Sequence, residues 1–231
     1  MKVEIIDSLK DISLSAWNSW IPQNYPFLRY EFLAGLENTG CTTAESGWQP
    51  FHLKITDEDS VVGFMPCYLK GHSYGEYVFD WTWAEAWQRK GFSYYPKLVS
   101  GIPFTPATGP RLLVSEGVDA NKVWVTIISW VKEFCRTKGI SSWHVLFPAP
   151  TESDHLATLQ CHQRIAVQFH WFNRNYRDFQ DYLSYFVSRK RKNLKRERNR
   201  VNEQGIHLEM LTGDEIIPEY WSAFYNFYQM T

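Results

Sequence analysis

The sequence predicts an α/β (α+β) fold, a layered mixed sheet flanked by helices, and three observations carry that prediction. Short alternating or apolar runs suited to strands recur at 2–9, 48–55, 60–69 and 141–147. Stretches with apolar residues at helical spacing separate them, most clearly at 119–138. Across 231 residues, 44% hydrophobic and 17% aromatic content supplies material for a packed core and excludes a globally disordered chain.

The elements follow in order. "KVEIIDSL" reads as a first strand, and Asp11 or Ser13 is placed to cap a short helix that turns Leu14, Trp17 and Trp20 inward. "FLRYEFLAGLE" repeats apolar residues at Phe27, Leu28, Phe32, Leu33 and Leu36, so a helix is expected there, closing at Gly40. "WQPFHLKI" and "SVVGFMPCYL", joined by the polar "TDEDS", predict a β-hairpin. After the Trp-rich "YVFDWTWAEAWQRKG" comes "GIPFTPATGP", where three Pro and two Gly rule out continuous regular structure.

From 119 to 138, positions 123, 124, 127, 128, 131 and 134 trace one helical face that ends at Gly139. "SSWHVLF" is expected as a strand, "ESDHLATLQCHQ" as a helix and "RIAVQFHWF" as a further strand. Strands alternating with helices are the pattern of a layered α/β sheet. Beyond 175 no strong breaker occurs for about thirty residues, and a narrow stripe through Leu183, Val187, Leu194 and Val201 predicts one long helix or two abutting ones. "IHLEML" then reads as a short strand and "DEIIPEYWSAFYNFYQM" as a helix whose aromatic load expects more chain to cover it.

Charge is uneven. Residues 188–200, "SRKRKNLKRERNR", hold eight of the 24 basic and one of the 25 acidic residues, so this segment is +7 and the remainder −8. Like charges at i,i+4, such as Lys192 with Arg196, cost an isolated helix about 0.2–0.5 kcal/mol each. Arg191, Lys192, Lys195, Arg196 and Arg198 therefore read as a phosphate-binding face, since Arg forks and Lys point charges suit phosphate oxygens. The plain alternative is a solvated helix face. Acyl-CoA, tRNA, a diphosphate-linked precursor and an anionic membrane surface at which the protein is peripheral all fit such a face.

Cys41, Cys67, Cys135 and Cys161 are far apart and form no metal-ligand spacing, which points to free thiols in a reducing compartment. No signal-peptide pattern opens the chain and no run reaches the roughly 20 apolar residues of a membrane span, so the expected location is cytoplasmic.

Three further groups are candidates for chemistry. In the 101–112 loop, Gly109 allows close backbone approach while Thr105, Thr108 and Arg111 are suited to a polar ligand; a rigid structural loop is the other reading. His170, on the expected strand, is a proton acceptor for an attacking amine, with His144 a weaker one, and Trp171 and Asn173 lie on the opposite face. Asp80 lies among Trp81, Trp83 and Trp87, whose rings raise a carboxylate's pKa by desolvation or pack beneath a loop. No G-x-S-x-G elbow, phosphate-loop GK[ST] sequence or carboxylate pair of readable spacing is present.

The order of elements, together with "PFTPATGPRLL", "QFHWFNRNYRDFQDYL" and "SRKRKNLKRERNRV", resembles a bacterial family of peptidoglycan biosynthesis/recognition proteins, predicted N-acyltransferases similar to the Fem aminoacyltransferases. The resemblance implies an acyl-CoA N-acyltransferase-like (GNAT superfamily) mixed sheet over 1–174. It also implies, over 175–231, a basic helical bridge and the start of a second, truncated unit of the same kind. It further implies transfer of an acyl or aminoacyl group to an amine of a cell-wall precursor, with acyl-CoA or aminoacyl-tRNA as donor. In contrast to acetyl-CoA-dependent members, only near misses of the pyrophosphate loop occur, "QRKGFS" and "RTKGIS". The competing expectations are a non-catalytic module recognising cell-wall precursor or anionic lipid, and an RNA-binding protein using the basic helix.

Overall fold

The computed structural model describes residues 1–22 and 25–230 and divides into two compact units, Met1–Val167 and Gln168–Thr231. The first unit opens with strand β1 (Lys2–Ile6), helix α1 (Leu14–Ser19) and helix α2 (Tyr30–Asn38). Ser13 occupies the position before α1, yet its hydroxyl meets Ser15 rather than a backbone amide. The helix expected from Phe27 is broken at Arg29, whose backbone is extended. The Leu28 carbonyl explains the break, because it accepts the Trp17 indole N–H at 2.7 Å in place of a helix amide.

The predicted hairpin forms and runs through two sheets. Its first arm is β2 (Trp48–Pro50) and β3 (His52–Asp57), its second β4 (Ser60–Met65) and β5 (Tyr68–Lys70). Pro50 and Pro66 lack the N–H a ladder needs, and each arm divides beside its proline. A single bond from Phe51 N to Cys67 O, 2.9 Å, carries the pairing across the break. One sheet has the order β1-β3-β4-β7, all antiparallel, where β7 is Leu113–Val114. The other has the order β2-β5-β6-β8, in which β6 (Lys97–Ser100) and β8 (Trp143–Val145) are parallel.

Parallel neighbours need a crossover, supplied here by α4 (Ala120–Lys138). The Asp119 carboxylate accepts from Asn121 N (2.9 Å) and Lys122 N (3.4 Å) to start α4, and Gly139 ends it at φ 66°. Val123, Trp124, Ile127, Ile128 and Val131 are buried, as their spacing requires. They pack with Leu53, Ile55 and Met65 on one side of the antiparallel sheet. Trp17, Leu28, Leu33 and Phe64 fill the other. Helix α3 (Trp81–Arg89) buries none of its residues, and α5 (Pro150–Thr158) follows β8.

The mixed α/β class is thus as expected. The later part of the chain differs from expectation at two places. It holds α6 (Phe179–Ser184), α7 (Ser188–Glu203) and α8 (Pro218–Gln229), but the strands expected at 164–172 and 206–211 do not form. Both runs have strand-like composition, and neither pairs with a neighbour among the described residues; an isolated run has nowhere to direct its backbone N–H and C=O groups except water.

Gly109 fixes how closely the chain can pack beside β8. A Cβ built there would overlap the Tyr25 ring, whose hydroxyl donates to Ala107 O at 3.3 Å. Gly109→Ala is expected to destabilise the first unit by about 1–3 kcal/mol, measured by denaturant unfolding, whereas Gly117→Ala, with open space around it, costs only its φ of 79°.

Candidate functional site

The 101–112 loop is held from inside. Arg111 is 1% exposed, and its guanidinium donates to the carbonyls of Leu146 (2.6 Å), Ala107 (2.5 Å), Gly109 (3.1 Å) and Pro110 (2.8 Å) and to the Tyr25 hydroxyl (3.3 Å). These partners occupy its fork, so Arg111 shapes the loop from its interior rather than facing a ligand. Gly109 is buried under Tyr25, Thr105 donates to Pro103 O at 3.0 Å, and Thr108 is exposed.

Past β8 the chain keeps pairing for two residues, with Leu146 N on Ser100 O (2.8 Å) and Gly109 N on Phe147 O (3.1 Å). The strands then part, and a cleft of about 370 Å³ opens between the Pro110–Val114 edge, the start of α4 and the start of α5. Leu112, Val114, Ala120, Trp124 and Ala149 make it largely apolar, and Glu152 and His155 add polar groups. Crevices where strands part in α/β sheets are the usual ligand sites.

Two amides at this edge converge. Arg111 N and Leu112 N both donate to Glu152 Oε1, at 3.2 and 3.1 Å, and Arg111 N also reaches Oε2 at 2.9 Å. Burial raises the Glu152 carboxyl above the ordinary range despite these bonds. His155 Nε2 is buried and has no hydrogen-bond partner among the described residues. The amides of Asn121 and Lys122 at the α4 start are occupied by the Asp119 carboxylate, so an anionic phosphate meets a negative charge there.

Asp80 belongs to a second cluster in the same unit. Lys97 Nζ, fully buried, meets Asp80 Oδ2 (2.6 Å), Glu76 Oε2 (2.8 Å) and Ser73 Oγ (2.9 Å), while the Tyr94 hydroxyl donates to Asp80 Oδ2 (2.6 Å). Burial pushes the Asp80 pKa up, but the bonds from Lys97 and Tyr94 and the Lys97 charge outweigh it and leave it at about 2. Glu76 moves the other way, raised by burial and by the Asp80 charge. Lys70, with Nζ 3.6 Å from the centre of the Trp48 ring, is lowered to about 7 by burial and by Lys97. His144 is lowered to about 4, chiefly by burial, and its Nε2 lies 2.9 Å from Ser142 Oγ.

A profile of the FemAB-like family, described as peptidoglycan biosynthesis/recognition, matches residues 8–231. The chain belongs to this family. No curated protein matches it. Solved structures similar to it include aminoglycoside 6′-N-acetyltransferases from Acinetobacter haemolyticus and Acinetobacter baumannii, each 11% identical with a TM-score of 0.41. The first match covers 76% of this chain and 99% of that enzyme, the second 74% and 97%; likeness at this level carries no argument about the reaction.

In the second unit of this FemAB-like chain, His170, Trp171 and Asn173 lie in an exposed segment without strand structure. The His170 ring stacks on Phe172 at 6.0 Å, Trp171 lies 6.1 Å from Tyr176, and Asn173 Oδ1 accepts from Asn175 N. The basic segment is the ordered helix α7, with Arg191 and Leu194 half-buried and Lys192, Lys195 and Arg196 exposed. Arg198 sits 4.1 Å from the centre of the Phe179 ring. Among the described residues of this unit the ion pair is Arg177 with Asp181, and none involves an α7 cation.

Sequence reasoning missed Glu152, His155, Lys97 and Lys70. A signal existed for three of them. Lys97 and Lys70 interrupt apolar strand segments, "KLVS" and "YLK", where burial demands a partner, and Glu152 is the third residue of a helix begun by Pro150.

Lys97→Met is expected to cost about 3–5 kcal/mol by leaving two carboxylates unpaired, and adding Glu76→Gln and Asp80→Asn should recover most of it in denaturant unfolding. A pH series gives a separate check. Because the folded Asp80 pKa lies below its usual 3.8, its contribution is present above that value and is lost as pH falls toward 2. The acid limb of stability should therefore be shallower in Asp80→Asn.

Proposed function

We propose that this chain is a Fem-like N-acyltransferase that moves an acyl or aminoacyl group from an activated donor to an amine, with a peptidoglycan precursor as the acceptor class. The observation that carries the reading is the pair of amides, Arg111 N and Leu112 N, aimed at one oxygen at the edge of the apolar cleft. Two fixed N–H donors converging on one point stabilise the charge that develops on a carbonyl oxygen when a nucleophile attacks. The Glu152 oxygen marks that point, and an acyl carbonyl entering the cleft would replace it.

In this scheme the acceptor nitrogen forms the new C–N bond. The C–S bond of an acyl-CoA or the C–O bond of an aminoacyl-tRNA breaks, and the leaving group takes up a proton. Glu152, released from the amides and already raised by burial, and His155, with its unpartnered Nε2, are the cleft's two acceptors for the proton shed by the amine. The negative charge of Asp119 at the α4 start disfavours donor phosphates there. The α7 cations Arg191, Lys192, Lys195, Arg196 and Arg198 suit phosphate oxygens by their chemistry, and a phosphate-bearing donor or acceptor is their proposed ligand.

The test incubates the full chain with acyl-CoA or aminoacyl-tRNA and amine acceptors, and mass spectrometry follows the new amide. Asn121→Trp, which places an indole in the cleft from an exposed position, is expected to lower kcat/KM at least tenfold with unfolding unchanged. Absence of transfer with every donor, combined with tight binding of cell-wall precursor, would replace catalysis by recognition.

A further inference from the structure

We propose that the aromatic segment 74–92 of the first unit is a docking surface for an anionic lipid bilayer, seated at the headgroup level. Tyr74, Tyr77, Phe79, Trp81, Trp83 and Phe92 are exposed, from 38% for Trp81 to 70% for Phe79. The stretch 71–95 contains nine aromatic residues and no Leu, Ile or Met, and α3 within it buries nothing. That composition is unlike a displaced piece of core. It matches the chemistry of the membrane–water boundary, where Trp and Tyr are enriched because one end of the ring system is apolar and the other wet.

The aromatics are held out rather than loosely exposed. Tyr77 and Phe79 have φ of 60° and 50°, a left-handed backbone that bulky residues adopt only under constraint. The constraint is visible directly beneath them, since Ser73, Glu76 and Asp80, which alternate with the exposed rings, are all buried against Lys97. Tyr74 lies 5.0 Å from Trp81, and Arg164 both stacks over Trp83 at 5.3 Å and donates to Val78 O at 2.8 Å.

Charge selects the occupant. Of the three acids in 71–95, Glu76 and Asp80 are turned inward and paired with Lys97, which leaves Glu85 outside against the exposed Arg89 and Lys90, with Arg164 beside Trp83. A net positive rim around projecting rings suits anionic headgroups. A glycan chain would require a groove, and the Glu152 cleft is not lined by a residue of this segment. The inference is independent of the transfer reaction.

The experiment sediments the full-length chain with phosphatidylglycerol/phosphatidylcholine vesicles and with phosphatidylcholine vesicles alone. Binding to the anionic vesicles is expected, and Phe79→Ser with Trp83→Ser should reduce partitioning at least tenfold while circular dichroism and thermal unfolding stay as in the parent. Phe92→Ser, at a separate exposed site, should reduce it by a smaller factor. Three results would overturn the proposal: no vesicle binding, binding that survives the aromatic substitutions but is lost in Arg191→Glu with Arg196→Glu, or concentration-dependent self-association through the same rings without any vesicle binding.

Discussion

The guanidinium of Arg111 sits out of water among five oxygen acceptors, and the candidate cleft depends on it. A planar fork of five donors can satisfy several carbonyls that no strand or helix claims, and here those carbonyls belong to the loop itself and to the chain beyond β8. Removing the side chain would leave these groups buried and unpaired, each at a cost of about 1–3 kcal/mol. With the loop pinned in this way, Arg111 N and Leu112 N are held on the outer edge and Glu152 closes them. The interior of the arginine builds the surface its backbone presents.

Lys97 plays a comparable part on the other sheet. The buried Lys97 ammonium has charged partners in place of water, since Asp80 stays ionised beside it and Tyr94 adds a further bond to the same oxygen. The cluster leaves Glu76 Oε1 and Asp80 Oδ1 without partners among the described residues, so it is an imperfectly satisfied network. Such networks are poor sources of net stability and good sources of conformational definition. Here the defined element is the 73–80 segment, which a hydrophobic anchor would have drawn into the core along with its aromatic residues.

How much of this was legible in the sequence depended on how local the cause was. The α4 helix was readable in full because its cap, its apolar face and its glycine stop lie in one stretch. The hairpin was readable from its turn. The runs 164–172 and 206–211 looked like strands because composition records suitability for a sheet and not the presence of a neighbour to pair with. At the site, the 101–112 loop was singled out both as a ligand wall and as a rigid structural loop, and Arg111 was assigned to a ligand, since a sequence shows an arginine's charge but not its side of the backbone. Glu152 escaped notice because its partners are 40 and 41 residues away. The α7 helix, read from its stripe and its charge, is present as an ordered helix, and the ligand of its cations is carried by the proposal alone.

The prolines that divide the hairpin have a consequence for the order in which the sheets can assemble. Asp57 meets Ser60 across a two-residue turn, whereas the parallel pairing of β6 with β8 brings together Leu98 and Trp143, 45 residues apart. Loop closure grows with the logarithm of length, so the second pairing costs about 2–3 kcal/mol more chain entropy before any contact repays it. Because Pro50 and Pro66 interrupt the ladder between the two halves, β3 and β4 can zip and collect α4 without first fixing β2 and β5. The half that carries the parallel pair, and with it the α5 wall of the cleft that follows β8, is then the last to close.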